Sequence, residues 1–336
     1  MSIGMMGYGL YVPEERMSAA EIAEATNIPE NVIALKFGIK QKPMPGPEDT
    51  TSYMGLMAAG KAIEDAGIDP KEIDVVIWFG AQHKDYPCWL ASLKIAHELG
   101  AENAWGFDME AMCGSFMVAL ETARGLMLSS EANRTVLLVS GYRNADLINL
   151  KVSETSFMAD LSAGGSACVL RRGYEQNVLL GTAFKGDGSF SELCVVPVLG
   201  SKKWPPEPGD DQLAYFRIDD PEEFKRKLGE KTMPNFYWVV REALKRSGGL
   251  TEKDVDYLAI LHFKKSAHDA VLSELGLTAD QTTYLDDYGH MGQNDQLLSL
   301  DLGIKAGKIK SGDIVSMVGA GLGFVWASAV MKWGKA

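Results

Sequence analysis

Cysteine is scarce in this chain, with four in 336 residues. Cys88, Cys113, Cys168 and Cys194 stand far apart and form no C-x-x-C pair. That spacing argues against a thiolate metal site and against a disulfide framework, so no metal is expected. Long apolar runs are missing as well. No stretch reaches the ~18–20 residues of a membrane span, and the N-terminus lacks the basic-then-apolar pattern of a secretion signal. Cytoplasmic residence is the expectation. Positive charge is in deficit, with 33 Lys and Arg against 45 Asp and Glu, a net charge of −12. Such a field disfavours nucleic acid, because phosphate binding needs concentrated positive charge. An anionic ligand would need a local basic patch.

What is present points to an α/β protein. A chain of this length makes one large domain or two fused halves. "AIEDAGIDPKEIDVVIWFG" (Ala62 to Gly80) resembles "ALKRSGGLTEKDVDYLAILH" (Ala243 to His262). Each is a helix end, a Gly break, an acidic turn and a continuous apolar strand, as in a parallel sheet covered on both faces. "NRTVLLVSGYR" (Asn133 to Arg143) echoes "SGDIVSMVGAG" (Ser311 to Gly321), and "GGSACVLRR" (Gly164 to Arg172) echoes "GFVWASAVMKW" (Gly323 to Trp333). These echoes divide the chain into similar halves, 1–175 and 176–336. The competing explanation is that βα units look alike in any α/β protein. "VLGSKKWPPEPGDDQ" (Val198 to Gln212) reads as a surface loop, a lid or an entrance.

Within "DMEAMCGSFMVALETARGLM" (Asp108 to Met127), Cys113 falls between a strand and a helix whose apolar face is Phe116, Ala119, Leu120, Ala123 and Met127. A thiol at a helix N-terminus meets unpaired N–H groups and the positive end of the dipole, both of which favour the thiolate. Gly114 and Ser115 would leave the approach open. Packing is the blander reading of a lone cysteine. Of the five histidines, His83 lies in a loop, while His97 and His268 fit helical surface or packing positions. His262 ends the strand "DYLAILH", where a sheet delivers side chains to a ligand crevice. His290 lies in the polar loop "LDDYGHMGQND". "VGAGLGF" (Val318 to Phe324) is a glycine-rich turn through which backbone N–H groups approach a ligand closely.

These stretches resemble the thiolase superfamily, and within it β-ketoacyl-ACP synthase III, over essentially the whole chain. "DMEAMCGSF" is similar to that family's nucleophile elbow, "ADLSAGGSACVL" to its "GDGAGAAVL", and "KGDGSFSELCVVP" to its "DGSYGELL–LP". The stretch from "YGHMGQND" to "GAGLGFVWASAVMKW" is similar to its C-terminal signature. The resemblance implies a five-layer αβαβα fold with two duplicated halves, a homodimer, and catalysis by Cys113, His262 and His290. His290 stands where the family has Asn, and "HFKK" where it has "HQAN". The implied reaction is a Claisen condensation. Cys113 takes an acyl group from an acyl-CoA or acyl-carrier-protein thioester, a malonyl-type thioester loses CO₂, and the enolate attacks the acyl group, with His262 and His290 donating to the enolate oxygen. No cofactor is implied.

The same resemblance places an oxyanion hole at the backbone N–H groups of Cys113 and Leu322. Val32 and Lys36 correspond to the tryptophan and arginine that hold the adenine of coenzyme A. Tyr86 matches a residue that crosses the dimer interface into the partner's acyl pocket. Phe324 reads either as the pocket floor or as core packing. Lys36, Lys40, Lys42, Lys202, Lys203, Lys264 and Lys265 are candidates for a phosphate- or carrier-binding patch, or else a solvated face. Three alternatives stay open: a 3-hydroxy-3-methylglutaryl-CoA synthase-like enzyme, acyl transfer to an oxygen or nitrogen acceptor, and a non-catalytic scaffold. The first is weakened because "WFGAQHKDYP" lacks the required Glu.

Overall fold

Nine strands hydrogen-bond into one continuous sheet in the computed structural model, which describes residues 1–80 and 83–335. They are β1 (Ile3–Tyr11), β2 (Val75–Phe79), β3 (Trp105–Met109), β4 (Thr135–Tyr142), β5 (Gly164–Arg172), β6 (Gln176–Gly186), β7 (Tyr257–Ile260), β8 (Ile314–Gly321) and β9 (Val325–Lys335). Their spatial order is β7-β8-β9-β6-β1-β5-β4-β2-β3. One plan appears twice in this order. On one side β3, β2 and β4 run parallel, and β5 and β1 follow antiparallel. On the other side β7 and β8 run parallel, and β9 and β6 follow antiparallel. A parallel bridge from Thr282 to Leu258 takes the outer edge, in the place that β3 holds on the first side. The two sides meet where β1 pairs with β6 at Gly4 and Val178. All three sequence echoes match strands in equivalent places: β2 with β7, β4 with β8, and β5 with β9.

The longer helices are α1 (Ala19–Thr26), α2 (Thr51–Ala66), α3 (Ala91–Leu99), α4 (Ser115–Ser129), α5 (Pro221–Arg246), α6 (Lys265–Leu275) and α7 (Asp295–Lys305). Three buried clusters define the layers. Ala58, Ala62 and Ile95 of α2 and α3 pack on Val76, Trp78, Leu137 and Val139. Phe116, Leu120, Leu297 and Leu300 of α4 and α7 lie between Ile77 and Leu138 of the first half and Ala259, Val315 and Met317 of the second. Phe236, Val240, Val271 and Leu272 of α5 and α6 cover Leu258, Ile260, Val318 and Val330. Alternate residues of each strand enter different clusters, as the two-residue period requires. The result is the expected five-layer αβαβα order. Both faces of β2 and β4 are covered, which explains their unbroken apolar runs. Gly9 lets α2 lie directly on β1, because a Cβ there would come 2.2 Å from the Ala58 carbonyl oxygen.

His268 on α6 is 2% exposed, and neither ring nitrogen has a hydrogen-bond partner among the described residues. Burial, reinforced by the charge on Lys265, pushes its pKa down to about 4. The unfolded chain takes up this proton from about pH 6.5 downward. The contribution of neutral His268 to stability is therefore full above that pH and is lost as the pH falls toward 4. At pH 5 the loss is about 2 kcal/mol. His268→Leu should remove that acid sensitivity. Urea unfolding of the variant and the parent should diverge progressively between about pH 7.5 and pH 5, and parallel curves would show that another group titrates.

Candidate active site

Cys113 lies in a tight turn, Met112–Gly114, between β3 and α4. Met112 is held at φ +48°, a left-handed backbone that a side chain rarely adopts, so the turn is fixed by its surroundings. Ser115 supplies part of that restraint. Its hydroxyl accepts from the Ala111 N–H at 2.8 Å and donates to the Gly80 carbonyl at 3.3 Å. The residue is fully buried, so it braces the turn rather than leaving the approach open. The glycine-rich segment has a packing reason too. A Cβ on Gly321 would come 2.3 Å from the Ala111 carbonyl oxygen, and one on Gly319 would come 3.2 Å from that of Cys113. Strand β8 can pass this close to the elbow because those side chains are absent.

His290 meets the thiol directly, with its Nε2 3.1 Å from Cys113 Sγ. Its Nδ1 donates to Asp295 Oδ2 at 2.6 Å. Asp295 is 0% exposed and also accepts from the backbone N–H groups of His262 (2.8 Å) and Met291 (2.7 Å). Burial alone would lower the pKa of His290. The Asp295 carboxylate and Cys113 outweigh it and raise that pKa well above the usual histidine value. An imidazolium hydrogen-bonded to sulfur is the arrangement that supports a thiolate nucleophile. Asp295 was not singled out from the sequence. Its signal was a carboxylate five residues beyond His290 in "HMGQND", at the first position of a helix.

The turn at His290 has the same build as the elbow. A short turn, Gly292–Asn294, precedes α7 as Met112–Gly114 precedes α4. The first helical side chain reaches back four residues in both, from Ser115 to the Ala111 N–H and from Asp295 to the Met291 N–H.

His262 departs from expectation. It is buried at the end of β7, but its ring nitrogens do not face the cysteine with a free N–H. Nδ1 lies 2.9 Å from Asp160 Oδ2, and Nε2 lies 3.2 Å from the Gly38 carbonyl oxygen. Both partners are oxygens of the protein itself, so each ring nitrogen is turned to a protein group rather than to the cysteine. Burial works against a charge on Asp160, yet the hydrogen bond and charge of His262, with His290 and Lys42, hold its pKa below the ordinary value. Lys42 corrects a second expectation. It is 2% exposed, so it cannot belong to a surface patch. Its Nζ donates to the carbonyls of Ala159 and Leu161, each at 2.8 Å. Burial, against the pull of Asp160, pushes its pKa down to about 8. Lys42 thus clamps both sides of Asp160, whose carbonyl accepts from the His290 N–H at 2.8 Å.

The remaining candidates fall in several places. Leu322 is half-buried and, with Glu110, Met112 and Phe324, lines a shallow pocket of about 310 Å³ beside the elbow. Phe324 also stacks on Trp326 (5.4 Å, 25°) and packs against Phe190 (4.8 Å), so it borders the pocket and is core packing at once. Tyr86 is 64% exposed, edge-on to Trp89 at 5.7 Å. Most of the proposed lysine patch is neutralised. Lys40 pairs with Asp286, Lys202 with Glu192, Lys203 with Asp210 and Lys265 with Asp269. Lys36 is exposed and makes no ion pair among the described residues, and Lys264 lies over the Phe37 ring at 5.7 Å.

Residues 107–188 match the family model for 3-oxoacyl-[acyl-carrier-protein (ACP)] synthase III, and residues 244–333 match the model for its C-terminal part. A β-ketoacyl-[acyl-carrier-protein] synthase III of Desulfitobacterium hafniense is 29% identical over 340 residues, covering 100% of this chain and 99% of that protein. One from Caldanaerobacter subterraneus is 28% identical over 337 residues, with 100% and 99% covered. The crystal structure of the Thermus thermophilus synthase III superposes with a TM-score of 0.86 at 23% identity, over 99% of this chain and 100% of that one. The chain belongs to the thiolase superfamily. Within that superfamily it is an acyltransferase of the β-ketoacyl-ACP synthase III kind.

Asp295→Asn tests the geometry around the thiol. An amide cannot reproduce three accepted hydrogen bonds, and its N–H₂ would oppose the His290 Nδ1–H. Acyl-enzyme formation, followed by intact mass, should slow by about 10²–10⁴. An unchanged rate would show that His290 acts without its carboxylate.

Proposed function

We propose that this chain carries an acyl group on Cys113 and transfers it to the carbon of a malonyl-type thioester, with loss of CO₂. The observation that carries the reading is the contact of His290 Nε2 with Cys113 Sγ, with Asp295 behind the ring. In the first step the thiolate attacks the acyl thioester carbonyl, the new S–C bond forms, and the departing thiol takes its proton from His290. The oxyanion is received by the backbone N–H groups of Cys113 and Leu322, each such donor being worth about 2.7–4 kcal/mol of barrier. Once acylated, the sulfur is a poor acceptor, and the His290 ring becomes available to the second thioester. Loss of CO₂ places charge on that thioester's oxygen, and the enolate carbon then attacks the acyl group. His262 joins as a second donor when its Nε2–H leaves the Gly38 carbonyl.

Acyl-CoA or acyl-carrier-protein thioesters are the proposed substrates, with no further cofactor. Exposed Lys36 and nearby Lys264 flank Phe37 and offer a small basic spot for the carrier's phosphates. A homodimer with Tyr86 reaching the partner's pocket remains part of the proposal. A second reading is favoured by one observation. With both ring nitrogens of His262 turned to protein oxygens, a single histidine backed by a carboxylate serves the sulfur, which suits acyl transfer without decarboxylation.

A panel of acyl-CoAs should add one acyl mass to the protein, mapping to Cys113 and absent from Cys113→Ala. An adduct on Cys88, Cys168 or Cys194 would sink the assignment. Malonyl-CoA should then release CO₂ from the acyl-enzyme. His262→Ala should still acylate, with CO₂ release reduced by about 10²–10³. Full acyl turnover with no CO₂ release in the parent would establish the second reading instead.

A further inference from the structure

Tyr284 lies between the bridge at Thr282 and the turn at His290, and no motif in the sequence marks it. Its ring packs on that of His262, 5.2 Å between centroids. Its hydroxyl joins two segments that are distant in the chain. It lies 2.8 Å from the Phe263 carbonyl oxygen, just past β7, and 3.4 Å from the Phe37 carbonyl oxygen. Both oxygens are acceptors, so they share the one phenol hydrogen. The residue after Phe37 is Gly38, whose carbonyl oxygen lies 3.2 Å from His262 Nε2. A carbonyl only accepts, so the ring nitrogen against it carries a hydrogen. Gly38 sits at φ +76°, and a Cβ there would come 1.9 Å from the Tyr284 hydroxyl oxygen. The hydroxyl therefore bears on this turn twice, by hydrogen bond at Phe37 and by close approach at Gly38. The same turn carries the basic spot. Lys36 precedes it and is exposed, and Lys264 lies over the Phe37 ring at 5.7 Å. A thioester whose phosphates settle there meets the turn that occupies His262.

We propose that Tyr284 is a positioning residue for His262: its hydroxyl pins the Phe37–Gly38 turn beside the end of β7, keeps the Gly38 carbonyl on the Nε2–H, and withholds that donor until a thioester shifts the turn. This rests on His262 being the second donor to the enolate oxygen. Tyr284 acts only through His262, so acylation of Cys113, which belongs to His290, is untouched. Its effect falls on decarboxylation alone.

Tyr284→Phe removes the hydroxyl and keeps the ring on His262. Two readouts on the full-length protein separate the steps. First, the His262 Nε2–H signal, assigned by its loss in His262→Ala, should exchange with water about two- to tenfold faster in the variant, the weight of one hydrogen bond. Second, CO₂ release from saturating malonyl-CoA on the acyl-enzyme should rise by the same factor of about two to ten, because a donor held less tightly is open for more of the time. The rate of Cys113 acylation should not change. Tyr284→Met, which also lacks the hydroxyl, should move both readouts in the same direction. A merely structural role would slow both steps or neither. Unchanged exchange in both variants would overturn the role of Tyr284 alone. Faster exchange without faster CO₂ release would overturn His262 as the enolate donor, and this inference with it.

Discussion

The buried carboxylate of Asp295 is the constraint on which the site depends. It has no exposure, and it accepts one side-chain and two backbone N–H groups. An ion in a low-dielectric interior is tolerated when its lone pairs are filled by well-placed donors. Filling them here fixes three things together: the orientation of the His290 ring, the end of β7 at His262, and the start of α7. The ring is then presented to the sulfur at one distance and in one orientation. Breaking this one anchor would loosen the end of β7 and the start of α7 together.

A second anchor works beside the first. Lys42 holds the carbonyls on either side of Asp160, and Asp160 holds His262. The two histidines are thus each tied to a different aspartate, and a lysine from the first half steadies one of those ties. The site consists of two His–Asp pairs joined through the backbone between Asp160 and His290. That gives the two rings different surroundings: His290 touches the Cys113 sulfur, and His262 is tied to Asp160 and the Gly38 carbonyl.

Sequence periodicity captured the elements that repeat and the residues that terminate them. Apolar runs such as Val75–Phe79 announce a strand covered on both faces, and three such echoes gave the duplicated plan. Cys113 and His290 were visible because they stand in turns just before helix starts, where backbone geometry presents side chains to a crevice. Asp295, Asp160, Lys42 and Tyr142 were not visible. Each makes a contact spanning distant segments, such as Lys42 with Leu161 or Tyr142 with His290, and no local pattern encodes such a pairing. The lysine patch failed for the converse reason. Composition counts charges, but it does not say which ones already face an aspartate or point inward.

The repeated turn has a consequence for how the activity is divided along the chain. The same turn–helix unit occurs twice, with Ser115 and Asp295 in equivalent bracing positions. One copy presents the sulfur, and the other presents the imidazole that touches it. Neither unit is competent by itself, because the reactive distance of 3.1 Å is measured from one copy to the other. The middle layer of α4 and α7 therefore works as a gauge block between two machined faces. Any relaxation of its packing would be read out first as a change in the reactivity of one sulfur atom, well before the fold itself gave way.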